Sequence, residues 1–123
     1  MADYYKTEDE VVAVVGGFED CTTSKEDFNH LSHLTVATYY LLSSGPDEAF
    51  RRVCSGLLRF ITHHGVNPGK YNEPLTRAWI EEIQKVIERA PSHSSLVDAT
   101  NLIIERLGNH RITIEPTNSA PDQ

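Results

Sequence analysis

His30 and His33 stand three residues apart in FNHLSHLTVATYYLL, residues 28–42, and imidazoles at that spacing can do three kinds of chemistry. Side chains three apart on a helix share a face, about one turn from each other. Two such imidazoles can ligate one metal ion if a third donor arrives from elsewhere. One imidazole can move a proton for a neighbouring hydroxyl or carboxyl group. Both can also act as hydrogen-bonding anchors for a small molecule held between helices.

Other residues are placed to join them. At about 100° per residue, His30, Leu34, Ala37 and Leu41 lie close together, and His33 falls between Ala37 and Tyr40. On the next apolar stretch His64 continues the line of Leu57 and Ile61, while His63 points towards the face of Arg52 and Arg59. Thr76 lies within the arc of Trp79, Ile80 and Ile83, with Tyr71 and Glu73 just ahead of it. A buried polar group without a partner is costly. His30, His33, Tyr40, His64, Tyr71 and Thr76 are therefore expected to converge on one another or on a ligand, with Glu73 and Trp79 beside them.

Each chemistry needs something more. A metal bound by His30 and His33 needs a third ligand, from His64, Glu26 or Glu73. Acid–base catalysis would set a histidine beside Tyr71 or Glu73, yet no nucleophile elbow, phosphate loop or carboxylate pair accompanies it. A pocket for a small ligand would be lined by Trp79, Tyr40 and Phe60. Taken singly, each residue has a plainer role. A histidine on an apolar face commonly bonds a carbonyl, Thr76 can bond back to the carbonyl of Asn72, and Trp79 and the Tyr39/Tyr40 pair can simply pack.

The elements that must position these groups are marked by their caps. Thr7-Glu8-Asp9-Glu10 is a capping box opening a short helix to about Phe18. Val11, Val12, Val14 and Val15 would also suit a buried strand, and the cap decides for helix. Ser24-Lys25-Glu26-Asp27 supplies an N-cap for the histidine-bearing helix, which runs to about Ser43. Gly45 and Pro46 then end one helix and start the next, Pro46 to His64, closed by Gly65. Pro74 marks the first turn of a helix to Ala90, with Leu75, Trp79, Ile83, Val86, Ile87 and Ala90 inward, and Pro91 ends it. Ser95 to Asp98 caps a last helix to Leu107, closed by Gly108. Residues 110–114 alternate in polarity, and the Pro/Asn/Ser-rich tail 115–123 is expected to be disordered. Five helices with short connections imply an all-α, single-domain bundle of mostly antiparallel neighbours over residues 1–114.

Composition narrows the partners. With 123 residues the chain suffices for one core. Its net charge of −7 argues against a nucleic-acid surface, which needs clustered Lys and Arg; Arg51, Arg52 and Arg59 read as a solvated face. The opening residues do not follow the charged-then-apolar pattern of a leader, no apolar run reaches membrane-spanning length, and Cys21 and Cys54 are too few for a disulfide framework. A reduced, cytoplasmic protein without membrane contact is expected. Cys54 reads as a small apolar side chain.

Phe18-Glu19-Asp20, Phe28 to Leu34 with Ala37, Gly56 to Phe60, His64-Gly65, Gly69-Lys70-Tyr71 and Thr76 to Trp79 together resemble a family of small bacterial proteins of unknown function. The resemblance covers about residues 11–80 and implies that His30, His33, Tyr71, Glu73, Thr76 and Trp79 belong together. Asn72 and Pro74 depart from its pattern, which has His and Thr there; the missing histidine weakens a metal reading. The resulting expectation is a partly buried pocket, built by the second, third and fourth helices, for a small polar ligand. Two alternatives stand beside it. One is a metal-dependent enzyme using His30 and His33. The other is a homodimeric interaction module, with Val11 to Val15 or the last helix as its face.

Overall fold

Thr7 starts the first helix as its cap predicts: its Oγ1 accepts from the Glu10 amide at 3.3 Å, and Glu10 Oε1 accepts from the Thr7 amide at 3.1 Å. The computed structural model describes residues 4–67, 69, 71–89 and 95–109. Among these it forms five helices and no strand: α1 (Glu8–Asp20), α2 (His30–Ser44), α3 (Pro46–His63), α4 (Glu73–Arg89) and α5 (Leu96–Leu107). The chain is a small all-α bundle, and no described helix is long and apolar enough to cross a membrane. Ala90, Pro91, the alternating 110–114 and the tail 115–123 lie outside the described residues.

The valine run is helical. Val11, Val15 and Phe18, at i, i+4 and i+7, are buried within the bundle, while Val12 is exposed. That apolar face thus has its partners inside the chain. Cys21 ends α1 in the left-handed region, φ 62°.

α2 begins later than its first cap signal implies. Ser24 caps only an isolated turn, accepting from the Asp27 amide, and the working N-cap is Asn29, whose Oδ1 accepts from Ser32 N at 3.1 Å. The delay leaves Phe28 outside the helix, with its ring stacked 4.9 Å from Phe18 and tilted 4.9 Å from Phe60. α2 packs against all four other helices. Leu34, Thr35, Val36, Ala37 and Thr38 are all buried, and five successive residues go right round a helix. Its buried surface is therefore a full circumference, as a central helix requires. Thr35 and Thr38 fit there because each hydroxyl donates to the carbonyl one turn back, Leu31 and Leu34, at 2.8 Å.

Gly45 alone joins α2 to α3, with φ 84°. At the far end Gly65, at φ 71°, lets Val66 N reach back to the Ile61 carbonyl at 2.8 Å. α3 buries Ala49, Val53, Gly56 and Phe60, whereas the row Phe50, Cys54, Leu57 and Ile61 stays half-exposed. Gly56 is required by contact: a Cβ there would come within 2.4 Å of the Phe18 ring. Asn72 Oδ1 caps α4 through Leu75 N at 2.9 Å, and Ser95 caps α5 through Asp98 N at 3.1 Å.

The segment before α1 is strapped down. Tyr5 N donates to Asn101 Oδ1 at 2.9 Å, and Asn101 Nδ2 donates to Tyr5 O at 2.8 Å. Because the Thr35 hydroxyl already donates to Leu31, the Tyr5 hydroxyl donates to Thr35 Oγ1, at 2.9 Å.

Candidate functional site

The first two turns of α2 are not enclosed like its middle. Beside them lies a cleft of about 480 Å³ bordered by α2, α3 and α4 and the segments entering α2 and α4. Leu34, Ala37, Val53, Leu57, Ile80 and Ile83 form its floor and walls. Asn29, His30, His33, Tyr71, Asn72 and Thr76 bring its polar atoms, and Trp79, the only tryptophan in the chain, stands among them.

The two histidines are held differently. His30 Nε2 lies 3.1 Å from the carbonyl of Leu107, at the end of α5. A carbonyl only accepts, so Nε2 carries the hydrogen and Nδ1 is left as an acceptor. The same ring packs edge-on to Trp79 with centroids 4.9 Å apart. Among the described residues the His33 ring makes no hydrogen bond, and it tilts against Phe28 at 4.5 Å. Protein surrounds it on most sides, yet the ring surface is exposed through the cleft mouth. That surrounding protein, and after it the neighbouring His30, disfavour the imidazolium and push the His33 pKa down from 6.5, to about 4. Water at the mouth opposes the shift.

Tyr71 enters the cleft from the segment before α4. Its hydroxyl is shielded from water without a hydrogen bond of ordinary geometry, and faces the Cys54 thiol. Burial raises the pKa of both groups, so each stays protonated at neutral pH. Thr76 donates to the Asn72 carbonyl at 3.0 Å, which leaves its oxygen lone pairs for a cleft occupant.

The remaining candidates lie elsewhere. Tyr40 is buried and donates to Glu19 Oε2 at 2.5 Å, with the Arg52 guanidinium 5.8 Å from its ring centre. Burial, then that hydrogen bond, raises its pKa. Glu73 is exposed in the first turn of α4. His64 caps the end of α3 and packs on Phe60 at 4.4 Å, its Nε2 shielded and without a hydrogen-bond partner among the described residues. Phe60, expected in the pocket wall, is buried in the aromatic core instead, one helical step from Leu57 and Ile61, which do line it. His63 is exposed.

Among the described residues no group of three or more His, Cys, Asp or Glu could hold a metal ion, so His30 and His33 have no third ligand there. Set against protein-family models, curated proteins and solved structures, the chain matches none. What the cleft does must be read from its own chemistry. Asn29 and Asn72 are the residues that pattern reading of the apolar faces missed. Their signal was available: each is the cap of a helix bordering the cleft, and caps sit where a helix meets open space.

Proposed function

We propose that the protein binds a small molecule in the cleft between α2, α3 and α4. One observation carries the reading: an apolar cavity of about 480 Å³ has its polar groups gathered from two helix starts, and the buried Tyr71 hydroxyl beside them lacks a hydrogen bond of ordinary geometry among the described residues. A cavity in this size range with few polar anchors is the usual form of a small-molecule site. His33, the Nδ1 of His30, the Tyr71 hydroxyl and the Thr76 oxygen are the anchors, and Trp79 supplies a flat apolar wall.

A ligand that binds only the folded chain raises its melting temperature. Screening a fragment library by thermal shift is expected to yield compounds that stabilise the native chain but not Thr76→Trp, whose indole would fill the cleft. If the hits stabilise both proteins equally, they bind elsewhere and the proposal fails.

A further inference from the structure

Every side chain lining the cleft among the described residues is formally uncharged: the border contains no Lys, Arg, Asp or Glu. This is unusual for a chain in which 24% of residues are charged, and the charges lie close by. Glu73 and Arg77 are both on α4, within one turn of Thr76, and both are exposed outside the cleft. Arg77 turns away to lay its guanidinium 3.9 Å from the centre of the Phe50 ring, on another side of α4.

We propose that the ligand of this cleft is an uncharged, largely apolar ring compound bearing a hydroxyl or amide group, and that the cleft rejects ions of either sign. The inference rests on the binding reading above and specifies its ligand class. An ion entering the cleft loses water and meets no countercharge among the described lining residues, a loss that dipoles alone compensate poorly. The hydrogen-bonding complement is also that of a neutral partner. His30 Nδ1 and Thr76 Oγ1 accept, Asn29 and Asn72, whose Oδ1 atoms cap helices, can donate from Nδ2, the Tyr71 hydroxyl can donate or accept, and neutral His33 offers one of each. A hydroxyl or amide group uses both kinds of contact; a carboxylate only accepts and an ammonium only donates. Leu57, Ile61 and Trp79 require the rest of the molecule to be apolar, and the negative net charge further opposes anions.

Three probes of nearly one shape test this: 2-naphthylmethanol, 2-naphthoate and 2-naphthylmethylammonium. The single tryptophan makes the Trp79 indole N–H a unique NMR resonance, and its shift reports occupancy. The alcohol is expected to bind with a Kd at least tenfold below those of both ions. Equal or tighter binding of either ion overturns the ligand class while leaving the cleft as a binding site. If no probe moves the Trp79 resonance, the binding reading itself falls. His33→Lys, at an exposed ring position, should turn the preference towards naphthoate, as should Thr76→Lys if the first variant does not fold. An unchanged order in a folded variant would show that selection is not made in the cleft.

Discussion

From Leu34 to Thr38 every residue of α2 is buried, and its two hydroxyls are both used on carbonyls one turn earlier. From His30 to His33 the same helix borders open space, and the His33 ring makes no comparable commitment. Both stretches place polar side chains in an otherwise apolar helix. The difference is where their hydrogen-bonding capacity goes. A polar residue inside a bundle is structural when the chain itself satisfies it, and available for binding when the chain leaves capacity facing a cavity. Tyr40 and Tyr71 repeat the contrast: Glu19 accepts from the first hydroxyl, and nothing of ordinary geometry satisfies the second.

If the enclosed part and the cleft are energetically separate, substitutions should sort accordingly. The largest effect belongs to Phe18→Ala, which empties the stack over Gly56 and is expected to cost about 3–5 kcal/mol in chemical denaturation. Where the variant remains folded, its Kd for 2-naphthylmethanol should stay within about twofold of the parent. A parallel loss of binding would mean that the core and the cleft are one unit. Asn101→Ala comes next, at about 1–3 kcal/mol, because it strips partners from both the amide and the carbonyl of Tyr5. Unchanged stability would show that the strap carries no weight, and that α2 is enclosed without it.

His30→Leu tests the border between the regions. It breaks the bond to the Leu107 carbonyl and the contact with Trp79 while removing an acceptor from the cleft. A stability loss of about 1 kcal/mol is expected together with weaker binding of the neutral probe. A stability loss with unaltered affinity would return His30 to the core.

How far the sequence carries this picture depends on the range of the signals. Caps are local, and Thr7, Gly45, Gly65 and Ser95 place helix ends close to where they occur. Ser24 misleads because a cap followed by too little apolar periodicity closes a turn and goes no further, while Asn29, five residues on, has α2 behind it. Facing angles bring His30, His33, Thr76 and Trp79 to one cleft, since each helix alone determines which of its residues share a side. They cannot determine which neighbour that side meets. His64 shares its line with Leu57 and Ile61 but sits at the helix end and packs on Phe60, and Tyr40 finds Glu19 on α1. Those outcomes depend on where α2 lies, and its central position is written in a stretch apolar or back-bonded on every side. The strap of Tyr5 on Asn101 spans 96 residues and leaves no periodic trace.

The smallest effect is the most specific. At neutral pH His33→Gln should change stability by less than about 0.5 kcal/mol, since it removes no hydrogen bond and the ring is already reached by water. Its signature lies in acid. The folded chain holds the His33 pKa below 6.5, towards about 4, so between those values the unfolded chain takes up a proton that the folded one resists. Stability is then fully present above about pH 6.5 and declines as the pH falls towards 4. Carboxylates such as Glu10 and Glu48, whose pKa values are lowered by hydrogen bonds, also lose stability in acid, but they do so in both proteins. The difference between parent and variant isolates the imidazole. Melting temperatures from pH 7 to 4.5 should fall less steeply for His33→Gln than for the parent, and 2-naphthylmethanol, by displacing water from the cleft, should steepen the parent's decline further. Parallel curves would mean that water at the mouth solvates the His33 imidazolium as well as bulk solvent does, and the cleft would then lose its claim to select against charge.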